Sequence, residues 1–244
     1  MSAEVLVARS GPVPYEEALT AQRRLAAARQ RGEIPDLLWL LEHPPVYTHG
    51  RRSGTEELPM GAEWYETQGI EVHETDRGGR VTYHGPGQLV AYPIVSLKPY
   101  GDDVHEYVRR LERVAIAALG DHGVEARTID GLTGVWTRGE PPGSVAGAAE
   151  ARKIGSIGVH VSRGVTTHGL AINVNNDLQP FDWVVSCGIE GARPTSLSRE
   201  LGAEQDFGAF AESVAARFGE VYGRRPVAAD AAALGIDTAR LGVA

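Results

Sequence analysis

The chain has 244 residues, 42% hydrophobic and 23% charged, which suits one large globular domain or a domain with a small appendage. Its net charge of -8 argues against bulk nucleic-acid binding, although local basic patches can still meet an acidic partner. The lone cysteine, Cys187, excludes an intrachain disulfide; residues 1–9 lack a secretory pattern, and no apolar run approaches the ~20 residues of a membrane helix. A soluble, cytoplasmic protein is expected.

Taken in chain order, Val5 to Ala8 reads as a short strand. Pro14 opens a helix from Tyr15 to about Arg31, with Ala18, Leu19, Gln22, Leu25 and Ala26 inward and Gly32 ending it. Leu37–Leu41 is a compact apolar run, read as a buried strand. The polar stretch from His43-Pro-Pro45 through Arg51-Arg52 to Pro59 reads as a long functional loop carrying Tyr47, Thr48 and His49. Ile70–Glu74 and Gln88–Val95 are strand candidates, and Pro93 places the second at an edge or a bulge. Asp102 is the expected N-cap of a helix reaching about Leu119. The pattern from Val124 to Val174 is β, and Arg138–Glu150 reads as a mobile hairpin tip. Phe207–Tyr222 predicts a helix, and Ala228–Ala233 a short helical tail. Together these predict an α+β fold with a mixed β-sheet flanked by helices, in a single domain over 1–244.

The stretch Arg77-Gly-Gly-Arg-Val-Thr-Tyr-His-Gly-Pro-Gly-Gln88 holds four glycines around polar anchors. So many glycines do not suit a core strand, and Arg, Thr, Tyr and His do not suit a plain linker. It reads as a ligand-binding loop; a β-bulge or hairpin turn is the bland alternative. It is neither a P-loop nor a Rossmann fingerprint.

Cys187 precedes Gly188 and follows Phe181-Asp-Trp-Val-Val-Ser186, so its thiol could sit at a turn near backbone donors. A buried, inert cysteine is the competing reading. A thiol nucleophile needs a base or a cation, and His49, His84, His160, His168 and Lys153 are candidates. Lys153 begins an alternating strand with glycines among its apolar residues; it could favour a thiolate or simply be a solvated strand end. The histidines lack metal-site spacing, so no metal is expected. Arg109, Arg110 and Arg113 look like a solvated helix face, whereas Arg51, Arg52, Arg77, Arg80, Arg152 and Arg163 flank candidate site loops and could meet an acidic partner.

In series, His43–Gly50, Arg77–Gln88, Gly134-Val-Trp136, Lys153–Gly158, His168–Asn173 and Ser186-Cys-Gly188 resemble the lipoyl(octanoyl) transferases. The resemblance spans about Leu37 to Leu201. It implies the fold of the biotin/lipoate protein ligase catalytic domain, with that core over about 31–220. It implies transfer of an octanoyl group from octanoyl-acyl carrier protein to a lysine of lipoyl domains, as in 2-oxoacid dehydrogenases and the glycine cleavage H protein. By the same resemblance Cys187 is the acyl-thioester nucleophile and Lys153 lowers its pKa and handles protons. Substrate binding is carried onto Arg77, Gly78, Gly79, Arg80, Val81, Thr82, Tyr83, His84, Ser156, Ile157, Gly158, Gly169, Leu170 and Ala171. The role of His84, anchor or proton carrier, stays open. No cofactor is expected, because the donor itself carries phosphopantetheine on acyl carrier protein. The chain is expected to be a monomer that binds neither nucleic acid nor membrane.

Pro141–Glu150 looks longer than the corresponding hairpin of that family and could alter partner docking. Two other functions compete. One is an ATP-dependent lipoate- or biotin-type ligase on the same fold, against which Cys187 and Lys153 speak. The other is a non-catalytic acyl-binding module.

Overall fold

The apolar run at 37–41 becomes β2 (Asp36–Glu42), whose successive side chains face two different cores. Leu38 and Leu40 join Leu111, Val114 and Phe218 on one face, while Leu37, Trp39 and Leu41 join Leu25 and Ala26 on the other. A strand covered on both sides has no polar face to show, which is why the run is unbroken. The structure is a computed structural model and describes residues 4–141, 150–184 and 192–236.

Among these, β2 belongs to an eight-stranded sheet. In spatial order it comprises β11 (Arg225–Ala228), β1 (Glu4–Pro12), β2, β6 (Gln88–Ile94), β10 (Val165–Asn173), β9 (Lys153–Ser162), β8 (Leu132–Thr137) and β7 (Ala126–Ile129). β1 runs parallel to both neighbours, Glu4 pairing with Arg225 and Val5 with Asp36; the other pairs are antiparallel. The sheet is therefore mixed. Helices α3 (Val104–Asp121) and α5 (Phe207–Tyr222) pack on one face, and α1 (Tyr15–Gln30) on the other. The Asp103 carboxylate caps α3 by accepting the His105 and Glu106 N–H groups, and Asp206 caps α5 by accepting that of Ala209. Among the described residues no helix is long and apolar enough to cross a membrane.

A second sheet of three strands, in the order β4 (Glu71–Glu74), β3 (Val46–His49) and β5 (Thr82–His84), carries the glycine-rich stretch. Short helix α2 (Ala62–Thr67) packs beside it, and a further short helix, α4 (Leu197–Leu201), follows β10 in the chain. Tyr47, Tyr65, Tyr83 and Phe181 form its core, with Tyr47 and Tyr65 rings 5.0 Å apart. The Tyr47 and Tyr65 hydroxyls donate to Pro180 O and Trp183 O at 2.5 and 2.8 Å, fixing the chain just before residue 185.

Four expectations are corrected. The polar stretch from His43 to Pro59 contains β3, because Val46, Tyr47 and Thr48 pair with β4 and β5 and are buried there. The α3 cap is Asp103; Asp102 lies outside it at φ +56°. Ala228–Ala233 is not a helix: Arg225–Ala228 pair with β1, and among the described residues a single 3-10 turn, Ala232–Leu234, follows. Pro93 is in the middle of the sheet, so of the two expectations, an edge or a bulge, the edge is corrected, and the neighbouring strand is irregular opposite it. Its missing N–H faces His168, which leaves the regular strand conformation at φ +57° and gives its own N–H to Gln22 Oε1 at 2.6 Å. The Thr166 hydroxyl donates to Pro93 O at 2.7 Å and accepts the Val95 N–H at 3.0 Å, so the backbone groups around the gap are satisfied. The proposed hairpin tip falls largely on 142–149, outside the described residues.

Candidate active site

β9 and β10 pair so that Ser156 lies against Ala171 and Gly158 against Gly169. These four small residues, with Val90 and Tyr92 of β6, form one wall of a cavity of about 1050 Å³. Two of the glycines are required by close approach. A Cβ at 158 would lie 2.8 Å from Gly78 O, and one at 169 would lie 2.2 Å from Ala91 O and 2.6 Å from Pro93 Cδ. The first lets the glycine-rich loop rest directly on β9, where the Gly78 N–H donates to Val159 O at 2.9 Å. That edge of β9 is available because its ladder with β8 covers only Lys153 to Gly155.

The loop forms the opposite wall, with Arg77, Gly78, Gly79, Arg80, Val81 and Thr82. Arg77 is 6% exposed, and its guanidinium donates to Thr48 O and Oγ1, Gly78 O and Arg80 O. It braces the loop against β3. Arg80 pairs with buried Glu57 at 2.5 Å, and Glu57 also accepts the Val81 N–H at 3.0 Å. Burial opposes the charge on Glu57, but these donors prevail and hold its pKa below the ordinary range. The Thr82 hydroxyl lines the cavity, buried and without a hydrogen-bond partner among the described residues, and so is available to a ligand carbonyl. Tyr83 is the exception among the expected residues: strand alternation turns it away, against Tyr47 and Phe181.

His84 faces the cavity with its ring stacked on Tyr15 at 6.3 Å. Its Nδ1 lies 2.7 Å from Gln88 Oε1, so the proton sits on Nδ1 and Nε2 is left as an acceptor. Burial pushes its pKa down to about 3, and that of neighbouring His43 to about 4. Both rings are neutral at physiological pH. His43 Nδ1 donates to Val13 O at 2.6 Å, and its Nε2 accepts from Tyr92 Oη at 2.7 Å. On the same wall, His168 Nε2 lies 2.8 Å from Asp76 Oδ1. Hydrogen bonding to His168 holds Asp76 well below the usual carboxylate range, while burial lowers the pKa of His168 despite that partner.

Lys153 also lines the cavity, with its Nζ 5.5 Å from the Trp136 ring centroid. Its backbone is held on both sides by the segment after residue 191: Lys153 N donates to Arg193 O at 2.8 Å, and Thr195 N to Lys153 O at 2.9 Å. Arg152 and Thr195 both bond Glu200, which ties that segment to α4. Cys187 lies outside the described residues. The chain is thus fixed just before it, by the two tyrosines, and just after it, beside Lys153.

The cavity therefore gathers Lys153 and every expected binding residue except Tyr83. Tyr15, Val90, Tyr92, His168 and Glu112 also line it and were not assigned to binding from the sequence. Glu112 had a legible signal: a carboxylate in the stripe Val108, Glu112, Ala115, Leu119, where the spacing predicts apolar residues. Tyr15 and Tyr92 had none, since each sits at an ordinary core position. Among the described residues no group of three or more His, Cys, Asp or Glu side chains is arranged to hold a metal ion.

A family model for the lipoyl protein ligase A/B catalytic domain matches residues 14–219. The chain is 44% identical over 224 residues to an octanoyltransferase of Acidobacterium capsulatum, covering 88% of this chain and 89% of that one. It is 46% identical over 217 residues to an octanoyltransferase of Roseiflexus sp., covering 88% and 86%. Among solved structures, the bipartite lipoate protein ligase of an archaeal lipoylation system from Thermoplasma acidophilum superposes with a TM-score of 0.68 at 16% identity, over 94% of this chain and 88% of that one. Lipoate-protein ligase A bound with ATP gives 0.67 at 15%, over 94% and 90%. Biotin protein ligase from Aquifex aeolicus with biotin and ATP gives 0.51 at 14%, over 89% and 69%. At these identities the structural likenesses speak to fold.

Proposed function

The chain belongs to the lipoyl protein ligase A/B catalytic-domain family, among its octanoyltransferases, and we propose that it carries the octanoyl group as a thioester on Cys187. It is an acyltransferase that transfers octanoyl groups in protein lipoylation. Octanoyl-acyl carrier protein is the donor and a lysine of a lipoyl domain the acceptor. The observation that supports this best is the cavity wall of Ser156, Gly158, Gly169 and Ala171 beside Lys153: a slot with little side-chain volume next to a cation. Burying an octanoyl tail there at ~0.8 kcal/mol per methylene would contribute several kcal/mol of binding.

The Cys187 thiolate, favoured by the Lys153 ammonium, attacks the donor carbonyl. The bond to the phosphopantetheine sulfur breaks, and that sulfur takes a proton from Lys153. The neutral acceptor amine then attacks the enzyme thioester, the bond to Cys187 breaks, and the amine's proton returns to Lys153. Thioester exchange is near balanced, and amide formation drives the sequence forward. The donor is already activated, so this route calls for neither ATP nor a cofactor of the enzyme's own. In this route the Thr82 hydroxyl, buried and unpartnered among the described residues, donates to an acyl oxygen, and neutral His84 lines the same cavity.

Intact-mass measurement after mixing with octanoyl-acyl carrier protein, without ATP, tests this. An octanoyl adduct is expected on the unaltered chain and absent from Cys187→Ala. An adduct that survives in Cys187→Ala refutes the nucleophile. Transfer that needs free octanoate and ATP would instead make the chain a ligase.

A further inference from the structure

The cavity does not end at the glycine-rich loop. It passes around the open edge of β9 to the α3 side, where Val108 and Glu112 face the β7–β8 turn at Gly131 to Thr133. The octanoyl tail fills little of this space: eight carbons at about the ~30 Å³ of a liquid water come to roughly a quarter of the cavity. The α3 arm is left over for another part of a substrate.

Glu112 is the residue that discriminates between candidates. It is 8% exposed and lies in the wall of this arm. Its Oε1 accepts the Gly134 N–H at 3.1 Å, and among the described residues it has no ion-pair partner. The Arg109 guanidinium attracts it only from a distance, and burial pushes its carboxyl pKa up. A buried carboxylate without a cation is costly to hold, and an incoming cation would relieve that cost. The site lies next to Lys153: a Cβ on Gly134 would sit 2.9 Å from Lys153 Cε and 3.5 Å from its Nζ. Arg109 and Arg113 of α3 also line the cavity, but Glu112 is the charged group that bonds Gly134 beside Lys153, and there a carboxylate repels the anionic phosphodiester of the donor's arm. The acceptor's lysine arrives as a cation.

We propose that the α3 arm admits the acceptor lysine and that Glu112 receives its ammonium group beside Lys153. This rests on the thioester route above. Glu112 holds the ammonium beside Lys153 until it gives up one proton to solvent. The freed amine attacks the thioester carbonyl, the bond to Cys187 breaks, and the amine's surplus proton passes to Lys153, neutral after protonating the departing thiol.

The test uses Glu112→Gln, which keeps an oxygen for the Gly134 N–H, and Glu112→Asp, which keeps the charge. Each is loaded from octanoyl-acyl carrier protein, and the thioester is then discharged by an apo lipoyl domain or by hydroxylamine, which is uncharged at neutral pH. Glu112→Gln should load at the normal rate and discharge normally to hydroxylamine. Its KM for the lipoyl domain should rise about tenfold, the scale of a charge-assisted contact, and Glu112→Asp should recover part of that loss. Unchanged KM overturns the inference. So does slower loading, which would assign the arm to the donor, and so does equal slowing with both acceptors, which would make Glu112 merely structural. If the unaltered chain forms no thioester, the proposed route itself has failed, and this inference with it.

Discussion

Replacing Ser156 by leucine tests whether the small-residue wall measures the acyl chain. Ser156 is half-buried on β9, paired with Ala171, and its side chain enters the cavity. Leucine there would occupy the room of about three methylene groups. At ~0.8 kcal/mol for each methylene displaced from the wall, octanoyl transfer loses about 2.4 kcal/mol, or roughly 60-fold in kcat/KM. A butyryl donor ends short of the obstruction and keeps its rate. The assay compares kcat/KM for octanoyl- and butyryl-acyl carrier protein in both proteins, with thermal melting run alongside to register any overpacking cost. The informative quantity is the ratio between the two donors, because a general loss of fold or of Lys153 geometry depresses both alike. An unchanged ratio would mean that the acyl chain lies elsewhere, and the assignment of this wall would fall.

Arg77→Ala removes a buried guanidinium that joins β3 to the glycine-rich loop, and should lower stability by ~3 kcal/mol in urea denaturation, since several charge-assisted bonds to carbonyls go at once. Normal stability with weakened donor binding would instead show that Arg77 acts on the ligand. Burial depresses the pKa values of His84 and His43 to about 3 and about 4, so the folded state binds fewer protons than the unfolded state below about pH 6.5. Their contribution to stability is complete above that pH and is lost on acidification towards pH 4, at up to ~1.4 kcal/mol per pH unit for each ring. Urea midpoints measured from pH 7 to pH 4.5 should fall steadily, and a flat profile would contradict neutral burial of the two rings.

Local pattern was enough for elements whose stability is local or whose two faces are both covered. α5 carries its own cap at Asp206 and its own stop at Gly223, and β2 shows its double burial as an unbroken apolar run. β3 and β11 were illegible for the opposite reason. Val46–His49 follows Pro44 and Pro45 and precedes a glycine, and becomes a strand only because β4 and β5 flank it. The alanine-rich stretch after Pro226 favours a helix by composition, but pairing with β1, remote in sequence, overrides it. Pro93 misled because the rule against proline in central strands assumes an intact ladder, and here the partner strand has a matching gap at His168. The site was legible as a series of motifs. Its facing was not: nothing in Thr82-Tyr-His84 says which two of the three look into the cavity until the pairing with β3 is known.

The pairing of β1 with β11 bears on how the molecule is made. β2 follows β1 closely in the chain, but the strand for the other edge of β1, Arg225–Ala228, is synthesised only after the cavity walls and the caps of α3 and α5. Until then a row of unpaired N–H and C=O groups from Glu4 to Val7 is a template for another nascent chain. A message truncated before codon 225 would encode the cavity-lining residues and leave that edge permanently uncovered. Such a product is expected to be lost to aggregation before its chemistry could matter.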